Sequence, residues 1–102
     1  MSRTDLEAFA QSWLRCVCDG TPLDPLLGAA LDAGAFVERA RAVQAKLGAP
    51  LEGSVDAIVC EGDRIAWRWV LRGPNGAVRG VNFQRVAEGR AVEHWTLASP
   101  LV

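Results

Sequence analysis

Asp63 to Ser99 reads DRIAWRWVLRGPNGAVRGVNFQRVAEGRAVEHWTLAS, and this stretch decides the fold. Two turn signals, Gly73-Pro74-Asn75-Gly76 and Ala87-Glu88-Gly89-Arg90, divide it into three apolar-rich runs. Pro and Gly punctuate a chain, and Asn-Gly favours the positive φ values of tight hairpins. The runs are rich in Val, Ile, Trp and Phe, which suit a pleated, half-buried surface. They predict a three-stranded antiparallel meander, with the upstream chain packed on it.

The segment before the meander adds a fourth strand. Ser54 to Glu61 (SVDAIVCE) alternates Val55, Ala57 and Val59 on one face with Asp56, Ile58 and Cys60 on the other. Both faces are largely apolar, so the strand is expected to be covered on both sides. Further upstream, Leu6, Phe9, Ala10, Trp13, Leu14 and Val17 follow helical spacing over Thr4 to Val17. Thr4 and Glu7 make a capping box for that helix, and Asp19-Gly20 ends it. Asp24-Pro25 starts a second, short helix of about two turns, with Asp24 as its cap. Gly34 is a break. Phe36, Val37, Ala40, Val43 and Leu47 outline a third helix, stopped by Gly48 and Pro50. Three helices followed by four antiparallel strands make an α+β two-layer fold, and a curled sheet under helices can enclose a pocket.

Composition narrows the class. The 102 residues are 50% apolar and 23% charged, which suits one globular domain spanning 1–102. A net charge of −1 offers no basic field for a phosphate backbone, so nucleic acid is not an expected partner. No 18-residue apolar run is present, so no membrane span is expected. The N-terminus lacks the apolar stretch of a signal peptide, and the expected location is cytoplasmic. The three cysteines, Cys16, Cys18 and Cys60, do not make a disulfide framework, and with one histidine they offer no metal site. They read as small buried apolar residues. No cofactor-binding motif is present, so no cofactor is expected.

The meander carries a resemblance. Gly62-Asp63-Arg64, then alternating Trp and Arg, a turn, Phe83-x-Arg85-Val86, and Glu88-Gly89-Arg90-x-Val92-Glu93-His94-Trp95 together resemble the C-terminal half of SnoaL-like polyketide cyclases. These belong to the nuclear transport factor 2-like superfamily, with ketosteroid isomerases and limonene-epoxide hydrolases. The match covers roughly Phe36 to Ser99. It implies a cone-shaped α+β barrel, its helices packed on a curved antiparallel sheet of about four strands. It also implies an apolar pocket and frequent dimerisation through the sheet's outer surface.

This chain departs from the family in places that matter. Family members usually run longer, and the segment between the early helices and the third helix is short here, so the pocket's mouth is either open or built by a partner subunit. The cyclases commonly place an acid–base carboxylate after Glu-His-Trp, where this chain has Thr96, Leu97, Ala98 and Ser99. Arg68 matches the arginine of the epoxide hydrolases, but Val70 stands where their aspartate would be. The chain has no tyrosine; Trp13 is nearest to the isomerases' oxyanion donor, and Val81 falls where their protonated acid would be.

The candidate catalytic residues are therefore His94, Asp56 and Arg68. His94 titrates near neutral pH and could act as a general base, or it could be a structural hydrogen-bonding group. Asp56, alone among apolar strand residues, would have a raised pKa if buried, or could sit exposed or paired with an arginine. Arg68 has two orientations. Inward, it would be a buried charge paired with Asp56 or Glu93 and able to bind an anionic or carbonyl ligand. Outward, it leaves Trp67, Trp69 and Leu71 as the core face. If Trp67 and Trp69 instead face out, they make an apolar interface patch, and the expected partner is a second copy joined sheet to sheet through them. Trp13, Phe83 and Trp95 are the candidate ligand-contacting aromatics. Asn82 and Gln84 share a face, read as a solvated one.

Two functions follow. One is an enzyme of the cyclase, isomerase or epoxide-hydrolase type, using general acid–base chemistry on an apolar small molecule. The other is a non-catalytic ligand-binding or dimerisation domain that lacks the family's carboxylates.

Overall fold

The computed structural model describes residues 2–100. Helix α1 spans Arg3–Asp19 and α2 spans Ala33–Leu47; strands β1 (Glu52–Glu61), β2 (Arg64–Gly73), β3 (Gly76–Ala87) and β4 (Arg90–Pro100) follow. The strands form one antiparallel sheet in the order β1-β2-β3-β4, with the helices on one of its faces. The meander is where the sequence places it. Each of its turns is a two-residue connection. Glu88 and Gly89 both take positive φ (53° and 76°), the combination of a type I′ hairpin.

The helices differ from expectation in three details. Helix α1 starts earlier: Ser2 is its cap, and Ser2 and Asp5 form the capping box. Ser2-x-x-Asp5 and Thr4-x-x-Glu7 overlap, and the earlier pair gives the longer helix; Glu7 is left to pair with Arg3 at 2.8 Å. The second helix is a single 3₁₀ turn, Asp24–Leu26, without a side-chain cap. Its fixed position comes from the sheet instead. The Gly28 N–H donates to the Ala91 carbonyl (2.8 Å), and Arg90 Nη1 donates to the carbonyls of Asp24 and Leu27 (3.1 and 2.9 Å). Gly34 is no break: Asp32 caps α2 through the Ala35 N–H, and the helix runs through Gly34.

Two bulges set which side chains face the helices. In β1, Val55 pairs with Trp69 and Ala57 with Arg68, so Asp56 is the extra residue. This puts Val55, Ile58 and Cys60 towards the core, and it corrects the simple alternation read from the sequence. β1 is also an edge strand with most of its residues exposed, so it is not covered on both sides. In β4, Arg85 pairs with Glu93 and Val86 with Ala91, which leaves Val92 as the extra residue. Both Ala91 and His94 thereby reach the inner face.

The core lies between that face and the helices: Leu6, Phe9, Trp13 and Leu14 of α1, Phe36 and Leu47 of α2, and Ile65, Trp67, Trp69 and Leu71 of β2. Gly80 makes room for it. A Cβ there would stand 2.4 Å from the Trp69 ring and 2.6 Å from the Leu97 carbonyl, so the indole lies directly on β3. Trp67 and Trp69 are 1% and 9% exposed, so they cannot form the outward interface patch considered above. Arg64, Arg68 and Arg72 share the opposite face of β2 and are exposed, because a face with three guanidinium groups belongs in water.

Candidate functional site

A cavity of about 320 Å³ lies between the helices and the inner sheet face. This is at the low end of small-molecule pockets, which run from about 300 to 1,000 Å³. Trp13 and Leu14 of α1, Phe36 and Val43 of α2, and Trp67, Trp69 and Leu71 of β2 supply its apolar wall. The mouth lies between α2 and the second half of β4, where the lining residues Arg39, Ala42, Thr96 and Ala98 are exposed. Among the described residues, no Asp or Glu lines the cavity.

The polar groups inside are uncharged and joined in two short chains. Trp67 Nε1–H donates to Gln84 Oε1 (2.8 Å), and Gln84 Nε2 lies 3.0 Å from His94 Nδ1. Trp69 Nε1–H donates to Asn82 Oδ1 (3.0 Å), which also accepts from the Thr96 hydroxyl (2.7 Å). Asn82 and Gln84 are buried, 4% and 3% exposed. This corrects their reading as a solvated face. Two buried indoles need two acceptors, and β3 provides them at the same two-residue spacing.

His94 sits in an aromatic clamp. Its ring stacks on Trp13 at 5.1 Å (interplanar angle 18°) and meets the edge of Phe36 at 4.9 Å. Burial, and secondly the positive charge of Arg39, lower its pKa from 6.5 to about 4. The imidazole is therefore neutral at pH 7 and a weak base. Arg39 lies over the Phe36 ring, 4.6 Å from its centroid, and pairs with no carboxylate among the described residues.

The other sequence candidates are elsewhere. Asp56 and Arg68 pair with each other at 2.8 Å on the outer face, both well exposed, and the pair holds the Arg68 guanidinium above its usual pKa. The structure brings neither to His94. Phe83 (58% exposed) and Trp95 (73%) are cross-strand partners on the same outer face, beside Leu97 (81%), so they line no part of the cavity. Trp13 alone of the three expected aromatics lies at the site. The cysteines are free, and burial, with Asp19 secondarily, raises the pKa of Cys16 and Cys18.

No family model and no curated protein matches the sequence. Solved structures do match. TsrD from Streptomyces laurentii superposes with a TM-score of 0.78 at 16% identity, over 96% of this chain and 90% of its own. A SnoaL-like polyketide cyclase from Agrobacterium tumefaciens gives 0.75 at 10% identity, over 92% and 91%. A de novo designed protein of the nuclear transport factor 2 fold gives 0.67 at 11%, over 92% and 84%. The chain thus has the nuclear transport factor 2-like fold, two helices on a curved four-stranded antiparallel sheet, as the meander's resemblance implied. The TsrD and cyclase structures extend little beyond the part they share with it. Among the described residues, no helix is long and apolar enough to cross a membrane.

Proposed function

We propose that the chain is a pocket protein of the polyketide-cyclase kind, taking an apolar small molecule into the cavity above Trp67 and Trp69. The observation that carries this is the cavity itself: an apolar chamber with a few uncharged polar groups gathered on one wall. That is the usual composition of a small-molecule site. The fold shared with a SnoaL-like polyketide cyclase supports the same reading as an analogy. Catalysis here would work by hydrogen bonding and charge stabilisation of a developing oxyanion, not by a carboxylate acid–base pair.

A second reading, binding without turnover, is favoured by one observation: no carboxylate lines the cavity among the described residues, and Asp56 is on the other side of the sheet. Titration of polycyclic ketones against intrinsic tryptophan fluorescence separates these readings from no site at all. Saturation at micromolar ligand supports a pocket, and absence of any change rejects both. Consumption of the bound ketone, lost in His94→Gln, then selects the enzyme.

For the outer face we propose a second copy of this chain as the partner. Phe83, Trp95 and Leu97 form its exposed apolar centre, and Arg64, Arg68 and Arg85 with Asp56, Asp63 and Glu93 surround it. A patch carrying both charge signs around an apolar centre can complement itself. Sedimentation should show a dimer that Trp95→Ser dissociates; a monomer at every concentration would reject this partner.

A further inference from the structure

We infer that Trp67 and Gln84 together fix the tautomer of His94, leaving its Nε2–H as the donor offered to a ligand, and that the cavity selects ligands carrying an acceptor oxygen. The tautomer half rests on side-chain chemistry alone. The ligand half rests on the cavity being a binding site, as proposed above.

An indole N–H can only donate. Trp67 Nε1 lies 2.8 Å from the Gln84 carboxamide, so the atom facing it must be the oxygen, Oε1. The carboxamide is planar, so its NH₂ group is then the one turned towards His94, 3.0 Å from Nδ1. An NH₂ group can only donate, so Nδ1 must be the unprotonated nitrogen. The proton of the neutral imidazole is left on Nε2, which has no protein partner among the described residues. Trp13 and Phe36 hold the ring plane by stacking and edge contact. Gln84 is thus a positioning residue and His94 the donor.

Asn82 follows the same logic. Its Oδ1 accepts from both Trp69 and Thr96, which fills its two lone pairs. Its Nδ2 donates to no described residue, and Asn82 lines the cavity. Arg39 adds an uncompensated positive charge at the mouth. Thr96 gives its proton to Asn82 and keeps lone pairs near the mouth, but the deeper polar groups are donors. A ligand that enters this chamber must satisfy them or leave them desolvated and unpaired. The matching chemical class is a planar, mostly apolar molecule with a carbonyl, enolate or phenolate oxygen.

The test has two independent parts. His94 is the chain's one histidine, so ¹H–¹⁵N correlation through its ring reads the tautomer at pH 7 without ligand. The expected result is the Nε2–H form, with Gln84→Met giving a mixture of both forms. An Nδ1–H form in the parent, or an unchanged single tautomer in Gln84→Met, would overturn the relay. The parent spectrum decides even if that variant does not fold. The ligand half uses 2-acetylnaphthalene and 2-isopropenylnaphthalene, which share a shape and differ in the oxygen. The ketone should bind about tenfold tighter or more, because an unpaired buried donor is expensive. In Gln84→Met the ketone's preference should fall by the fraction of His94 that leaves the Nε2–H form, about twofold for an even mixture. Equal affinities in the parent overturn the selection. Binding of neither probe overturns it together with the pocket reading, while the tautomer result stands on its own.

Discussion

The two faces of one sheet, built from alternate residues of the same strands, solve the problem of polar groups in opposite ways. On the outer face the polar groups are ions in water: Arg68 with Asp56, and Arg85 with Asp63 and Glu93. On the inner face they are neutral. Trp67, Gln84 and His94 form one chain, and Trp69, Asn82 and Thr96 the other. Charge is tolerated outside because water screens it, so exposed pairs add little. Inside, an unpaired donor costs its full desolvation, so the Trp67 and Trp69 indoles each have an acceptor and the buried imidazole is kept neutral. The inner face is the one with the specific geometry that a ligand site needs.

Substitutions should separate the faces by size of effect. The largest belongs to inner packing. Gly80→Val forces side-chain atoms into the Trp69 ring and should destabilise the fold by about 3 kcal/mol or more in denaturant unfolding. An effect under about 1 kcal/mol would mean that Trp69 is not seated on β3 as described.

Next comes His94. Its folded pKa, about 4, lies below the ordinary 6.5, so between those values the unfolded chain binds more protons. Stability attributable to neutral His94 is therefore complete above pH 6.5, declines as pH falls towards 4, and changes no further below that. The whole window is worth at most about 3 kcal/mol, and less in practice because the partly exposed ring is screened by water. Thermal melts from pH 7 to pH 4.5 should show this decline, and His94→Gln should flatten it between pH 6.5 and 5. An unchanged slope would place His94 in water. The smallest effect belongs outside: Arg68→Ala should leave both the melting midpoint and ketone affinity essentially unchanged, although it breaks the shortest ion pair on that face. A large loss of either would mean that the outer pairs support the site.

Much of the architecture was readable in the residues. Turn signals and β-favouring runs located the meander, and helical spacing located α1 and α2. What the residues concealed was facing. A one-residue bulge at Asp56 reverses the alternation in β1, and local composition does not announce it. The orientation of β2 was open for a different reason. The family likeness suggested Arg68 inward, and nothing else weighed in the sequence decided between that and Trp67 and Trp69 inward. The site was harder still. His94 and Trp13 were named, but Asn82 and Gln84 were passed over, because their role appears only once two buried indole N–H groups are seen to need acceptors. Phe83 and Trp95 were misplaced by the same uncertainty of face.

The four tryptophans make the contrast directly measurable. Trp13, Trp67 and Trp69 border the cavity, and Trp95 lies on the outer face. Each indole N–H gives its own signal in a ¹H–¹⁵N spectrum, and 2-acetylnaphthalene can be titrated into the ligand-free protein. The signals of Trp13, Trp67 and Trp69 should move together and saturate while that of Trp95 stays in place. Movement of Trp95 alone, or of none of the four, would contradict a ligand site between the helices and the sheet.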